Sequence, residues 1–278
     1  MLIKLSVVII TKNEAEMIIG CLKSIKNFAD EIIIVDDFST DETIKKIKLL
    51  KLKKIKIYQH LFKGFASQKN YGIKKCQGDW ILLLDADERV SRKLADMIKL
   101  VVNSQQDKFV AFNIKFINYF LGKKMNFGGW NNEYHIRLFK NKNILYAQQE
   151  IHEYLKIKGE IKNLNAEIYH FSHRDLASNL LKTHLYAQKE AEYHYLRHSP
   201  QITKWSLCKQ TIDHFYLRYI KEKGYQDGME GLIEAMYQAF SYIFIIQSML
   251  WEKQRGKDSQ ELYKELDLKL KANNFILD

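Results

Sequence analysis

The chain has 278 residues, 46% of them hydrophobic, enough for one large domain or one domain with a helical appendage. Its net charge of +11 favours anionic partners such as nucleic acid, nucleotide-linked substrates or an acidic membrane face, although a lysine-rich surface alone produces the same sum. The widely spaced Cys21, Cys76 and Cys208 make neither a disulfide framework nor a metal-ligand pattern and suit a reducing cytoplasm; no signal peptide and no membrane-spanning helix is expected.

Leu5 to Ile10 is apolar apart from Ser6 and predicts a buried parallel strand. A polar turn, Thr11 to Glu14, leads into a helical pattern through Ile18, Ile19, Leu22 and Ile25. Glu31 to Val35 predicts a second strand that ends in Asp36 and Asp37, and Ser39 or Thr40 is placed to cap a helix from Glu42 to Leu52. A strand from Ile55 to Gln59 and a helix from Phe65 to Cys76 follow, and Gly78 breaks that helix. Trp80 to Leu84 is then an apolar run that ends in Asp85, Asp87 and Glu88. This β-α-β-α-β-α-β order calls for a parallel sheet with helices on both faces.

Beyond Glu88 the pattern changes. A helix is predicted over Ser91 to Val102, and strands over Phe109 to Tyr119, Tyr134 to Lys140 and near Glu167 to Asp175, with a glycine turn at Phe127 to Trp130. From Asp175 onward the chain reads as helical: one helix to His198, one after Pro200 from Gln201 to Lys223, one from Met229 to Gln254, and one from Ser259 to Ala272. The expected division is residues 1–174 for the α/β domain, with a donor half at 1–104 and an acceptor half at 105–174. Residues 175–278 form a helical region.

Three predicted strands end in polar or acidic clusters, and in a parallel sheet those ends share one crevice. Asp85 and Asp87 alternate along an extended chain, so both can point one way, and a hard divalent cation relieves their repulsion. A polar loop capping a core strand is the plainer reading. Neither a Gly-x-Gly-x-x-Gly turn nor a P-loop is present to cradle phosphate.

Four stretches together resemble a family 2 inverting glycosyltransferase of GT-A fold. They are Ser6 to Glu14, Val35 to Asp41, Gln68 to Gly72, and Gly78 to Glu88, and they fall in the family's order over the first third of the chain. Phe38 departs from the pattern, which often has glycine there. Ile151-His152-Glu153, His170 to Asp175 and the helical tail resemble the lipopolysaccharide core glucosyltransferase branch.

The resemblance implies transfer of a hexose, glucose in that branch, from a UDP-sugar with Mg2+ or Mn2+. The acceptor would be a bacterial envelope glycan, the lipopolysaccharide inner core by the narrower likeness. Thr11, Asn13, Glu14, Asp37, Lys69, Asp85 and Ala86 would line the nucleotide-sugar site, with Asp37 reading the uracil and Lys69 near the diphosphate. Asp87 would hold the metal, in the family's D-x-D position. His170 is a candidate third ligand, since imidazole joins carboxylates around Mn2+.

An inverting transfer also needs a base on the far face of the sugar to take the acceptor's proton. Glu153 is the first candidate and Glu150 its competitor. His152, Trp130 and Arg137 are candidates for the acceptor side or a lid, Trp130 beside the Gly128-Gly129 hinge.

The aromatic and basic tail residues suit a helical core, a dimer face or peripheral contact with the cytoplasmic face of an anionic inner membrane. Alternatives are the same fold acting on another cell-surface glycan or a glycoprotein oligosaccharide, a nucleotidyltransferase, and a basic nucleic-acid-binding protein. The missing phosphate loop argues against the nucleotidyltransferase, and scattered lysines without a recognition motif argue against nucleic acid.

Overall fold

The computed structural model describes residues 4–104, 108–142, 155, 157–256 and 259–272. They divide into two compact units, with the boundary between Arg174 and Asp175.

In the first unit, β1 (Leu5–Thr11), β2 (Glu31–Asp36), β3 (Ile55–Gln59) and β4 (Trp80–Asp85) pair in parallel in the order β3-β2-β1-β4. Their apolar residues alternate between the two faces of the sheet. Val7, Ile9, Ile32, Ile34, Leu82 and Leu84 join one buried cluster, with Ile18, Leu22 and Ile25 of helix α1 (Ile18–Ile25). Val8, Ile10, Ile33, Val35, Ile81 and Leu83 join the other, with Ala66 and Ile73 of α3 (Phe65–Ile73). A strand buried on both faces reads as a continuous apolar run, which is why these strands are legible in the sequence.

Helix α2 (Thr43–Leu49) is shorter than the predicted Glu42 to Leu52 and lacks the expected cap from Ser39 or Thr40. Ser39 Oγ is already engaged, accepting from the Asn13 N–H at 2.9 Å and donating to Asp36. The Asp41 carboxylate instead accepts from the Thr43 N–H at 2.9 Å. Phe38 has φ +49°, in the left-handed region where glycine carries no steric cost, which accounts for the glycine usual there in the family pattern.

The second half of this unit continues the sheet through β5 (Glu88–Val90), β6 (Phe109–Phe120), β7 (Lys123–Lys124), β8 (Tyr134–Lys140) and β9 (Glu160–His173). The path runs β3-β2-β1-β4-β8-β6-β9-β5, with β7 on β6. Pairing is antiparallel for β4–β8, β6–β8 and β5–β9, and parallel for β6–β9. Helix α4 (Arg92–Asn103) is capped by Ser91 Oγ, which accepts from the Leu94 N–H. The short strand β5 is absent from the sequence reading.

The second unit is helical: α5 (Leu176–Leu196), α6 (Lys204–Tyr216), α7 (Gly228–Met236), α8 (Phe244–Gln254) and α9 (Ser259–Ala272), with π-helical segments at Leu217–Lys221 and Tyr237–Ile243. Asp175 caps α5, its side chain accepting the Ser178 N–H. Pro200 does not open α6; Thr203 and Ser206 form a capping box there, and the helix starts three residues later than predicted. Ala191, Ile202 and Leu250 form the unit's small core, and Arg218 grips the buried Glu234 through Nε (3.2 Å) and Nη2 (2.7 Å). No helix among the described residues is long and apolar enough to cross a membrane.

Candidate active site

Adjacent strands β2, β1 and β4 end together, with Thr11 in register with Asp36, and Ile10 with Asp85. Chain order reverses across β1, so these carboxyl ends form the crevice where open α/β sheets bind ligands. The β1 turn is fastened to the β2 turn. Asn13, at φ +53°, accepts the Thr40 N–H on Oδ1 at 2.8 Å, and the Thr11 carbonyl accepts the Asp37 N–H at 3.0 Å. Asp37 Oδ2 pairs with Lys12 at 3.0 Å, and Oδ1 accepts the Phe62 N–H at 3.0 Å. Glu14 is held on both carboxylate oxygens by Arg174, at 3.0 and 3.1 Å. Thr11 Oγ1 is buried with no hydrogen-bond partner among the described residues.

Asp85, Ala86, Asp87 and Glu88 form the turn from β4 to β5. Arg137 Nη2 donates to Asp85 Oδ2 at 3.1 Å and to Glu88 Oε1, and Glu88 Oε2 accepts the Asp85 N–H at 3.0 Å. Arg137 is buried, with its guanidinium over the Phe116 ring at 5.1 Å. The sequence reading sets Arg137 on the acceptor side or in a lid; in the structure its guanidinium pairs with two carboxylates of the β4–β5 turn. Glu88 is 0% exposed. Burial, resisted by Arg137 but reinforced by the charges of Asp85 and Asp87, pushes its carboxyl well above the ordinary range. Burial also opposes ionisation of Asp85, but the Arg137 and Lys69 charges outweigh it and hold that carboxyl below the usual range. The Lys69 ammonium also lies 5.6 Å from the Phe65 ring centre.

Arg89 secures the backbone of the same turn. Its Nη1 donates to the carbonyls of Ala86 (3.0 Å) and Glu88 (2.8 Å), and its Nη2 to that of Met17 (2.6 Å). Gly20 makes room for it, since a Cβ there would sit 2.4 Å from Arg89 Nε.

His170, in β9, faces Glu88 across the β5–β9 pair and places Nε2 3.8 Å from Asp87 Oδ1. Burial pushes the ring's pKa below its ordinary value, against the pull of Asp87 and Asp85. Its Nδ1 lies 2.9 Å from Asn118 Oδ1. Among the described residues no three His, Cys, Asp or Glu side chains are gathered closely enough to hold a metal ion. Trp130 packs edge-on against His173, 5.6 Å between ring centres. Glu150, His152 and Glu153 lie outside the described residues.

The structure thus brings Asp85, Asp87, Lys69 and His170 together, with Asp37, Asn13 and Thr11 at the neighbouring strand ends. Sequence reasoning assigned no role to Glu88 and overlooked Arg89, Asn118 and Glu133. One signal was available: Asn118 falls in the buried phase of β6, between Phe116 and Phe120.

A model of glycosyl transferase family 2 matches residues 6–180, well over half of the chain. The chain belongs to this glycosyltransferase family. The parallel first half with its acidic strand ends, continued by a mixed second half, is the GT-A architecture that the family resemblance implies. A glycosyltransferase of Rickettsia felis is 29% identical over 250 residues, covering 86% of each chain. The lipopolysaccharide core biosynthesis glycosyltransferase LpsC of Rhizobium meliloti is 25% identical over 254 residues, covering 90% of this glycosyltransferase and 92% of that one. Among solved structures, S. aureus TarS 1-349 in complex with UDP-GlcNAc superposes with a TM-score of 0.46 at 14% identity, over 91% of this chain and 92% of that one.

Proposed function

We propose that this glycosyltransferase moves a hexose, with inversion, from a UDP-sugar to a bacterial envelope glycan. The observation that carries the donor half of this reading is the convergence of Asp37, Lys69, Asp85 and Asp87 on one crevice. Asp37 is the acceptor for the base, and Asn13, Thr11 and Glu14 frame that end of the site. Lys69 supplies a positive charge for the diphosphate.

Two of the residues present, Asp87 and His170, offer ligand atoms to a divalent cation, with the rest of its shell left to the donor and water. Asp85 Oδ1 is buried with no hydrogen-bond partner among the described residues, and Asp87 Oδ1 and His170 Nε2 stand too far apart for a hydrogen bond. Carboxylate oxygens with one imidazole suit Mg2+ or Mn2+, with diphosphate oxygens and water completing the shell. Bound there, the ion would offset charge on the departing diphosphate. Asp87 is the residue proposed to hold it, with His170 Nε2 beside it, and Asp85 facing the ribose or the ion.

Glu153 is proposed as the base that takes the acceptor's proton, with Glu150 second. Likeness to LpsC over most of both chains supports an acceptor in the lipopolysaccharide core, and glucose is the hexose proposed from the family resemblance alone. Exposed Trp205, Trp251 and Ile212 in the helical unit support contact with an anionic membrane carrying that acceptor.

The test is Mn2+-dependent UDP release, measured across a panel of UDP-sugars with and without acceptor. Asp87→Ala is expected to lose metal-dependent donor binding. Glu153→Gln is expected to keep donor binding and lose transfer. A protein that binds no UDP-sugar in the presence of Mn2+ would sink the reading, and near-normal turnover by Glu153→Gln would move the base to Glu150.

A further inference from the structure

Asn118 stands between the site and a carboxylate that no role above uses. It is 1% exposed and is the register partner of His170 across the β6–β9 pair. On one side its Nδ2 donates to Glu133 Oε2, and on the other its Oδ1 lies 2.9 Å from His170 Nδ1. Glu133 immediately precedes β8, and its backbone carbonyl accepts the Phe116 N–H at 2.9 Å, so the strand pairing sets its position. Its other oxygen, Oε1, lies 2.6 Å from His135 Nε2. Phe116 packs edge-on against both imidazoles, 4.8 Å from His135 and 5.6 Å from His170.

This row has a direction. An ionised carboxylate can only accept, so Glu133 requires the amide nitrogen of Asn118 to face it. The amide oxygen must then face His170, and an amide oxygen also only accepts. His170 must therefore carry its proton on Nδ1. In the neutral ring this leaves Nε2 with a lone pair, turned toward Asp87 Oδ1 at 3.8 Å. Two electron-rich atoms facing each other across that gap are an arrangement for a cation rather than for a hydrogen bond. Histidine ligands of metals commonly have the far nitrogen held in this way. The His135 ring beside Glu133, working against burial, keeps that carboxyl below its ordinary range and so ionised at neutral pH.

We propose that Glu133 is a positioning residue. Acting through Asn118, it locks His170 as the Nδ1–H tautomer and so presents Nε2, beside Asp87, to a divalent cation. The inference rests on the metal-dependent donor reading above. Replacing Glu133 by glutamine keeps the shape and removes the constraint. The new amide can donate to Asn118, whose own amide can then turn over and donate to His170 Nδ1. That places the ring proton on Nε2, where the cation belongs.

The experiment uses the full chain labelled with 15N-histidine and stripped of metal. Two-bond 1H–15N correlation spectra report the tautomer, with the His170 signals assigned by their loss in His170→Gln. Mn2+ binding is then followed by electron paramagnetic resonance in the presence of UDP. In the wild type His170 is expected to be protonated on Nδ1. In Glu133→Gln the proton is expected to move to Nε2, with Mn2+ binding weakened about 10- to 100-fold. Asp87→Ala should lose Mn2+ binding while keeping the wild-type tautomer, since it leaves Asn118 and Glu133 untouched.

A wild type protonated on Nε2 overturns the lock without the need for any variant. An unchanged tautomer and Mn2+ affinity in Glu133→Gln overturns it as well. A wild type with the Nδ1–H tautomer but no Mn2+ binding overturns the metal reading instead, and with it the purpose assigned to the lock.

Discussion

Gly20 and Arg89 define a test of what holds the Asp85–Glu88 turn in place. In most helices a Gly→Ala change stabilises by about 0.5–1 kcal/mol, because glycine loses more backbone freedom on folding. Gly20 lies in α1, but a methyl group there would fall 2.4 Å from Arg89 Nε and 2.6 Å from Nη2. The guanidinium would have to leave the three carbonyls it serves, those of Ala86, Glu88 and Met17. A hydrogen bond from a charged donor contributes about 1.5–3 kcal/mol when buried. Arg89 is only partly buried and water can replace it in part, so about 1 kcal/mol for each bond is the fitting figure.

Gly20→Ala should then cost about 3 kcal/mol of hydrogen bonding and recover about 1 kcal/mol of helix propensity, a net loss near 2 kcal/mol. In an Arg89→Ala background the clash is gone, and the same change should stabilise by about 0.5–1 kcal/mol. The coupling between the two sites would therefore be about 3 kcal/mol, at the upper end of what contacting residues show. Urea unfolding of the four proteins of this cycle measures it, as shifts in midpoint at constant slope. A Gly20→Ala variant that is stabilised in the wild-type background, or that behaves alike in both, refutes the role given to Arg89.

Two further outcomes are expected. Glu31 is buried, and although burial opposes its ionisation, Lys56, the Ser6 hydroxyl and the Gln77 N–H outweigh it and lower its pKa. A lowered folded-state pKa contributes stability above the unfolded value of about 4.3 that is lost as pH falls through the folded one, so Glu31→Gln should flatten the acid limb of a stability–pH profile. The helical unit should lose about 1 kcal/mol in Asp175→Ala, which removes the acceptor for the Ser178 N–H at 2.8 Å, with thermal unfolding as the measurement.

The parallel half, β1 to β4, was legible because its signals are local. Each parallel strand is one apolar run, each turn follows it directly, and acidic residues at the turns mark which end of the sheet they occupy. The β3 boundaries match their predicted limits for this reason, and those of β8 coincide as well. The Ser39 and Thr40 caps were misread because Asn13, 26 positions before Ser39, competes for them. Arg137 and Glu133 were illegible for a related reason. Their partners are set by how β6, β8 and β9 align, and register shifts interrupt that alignment after Phe112, Ile114 and Asn118. A one-residue slip exchanges the two faces of a strand, and nothing in a single sequence reports where a bulge falls.

The strand path has a consequence for how the protein folds. Asp85 closes β4 in the middle of the sheet, yet Glu88, three residues later, opens β5 at its far edge beside β9. The acidic turn is thus a short covalent link between strands that stand four places apart in the hydrogen-bonded order. Its geometry can be complete only after β9 has docked, some eighty residues downstream, and contacts that close such long loops form slowly. A nascent chain that has emerged only as far as the donor half would carry every acidic side chain of the crevice and still lack β9, with His170 on it. The nucleotide-sugar site proposed above should therefore be completed late and abruptly in refolding, behind the helical signal of the first half, rather than growing in step with it.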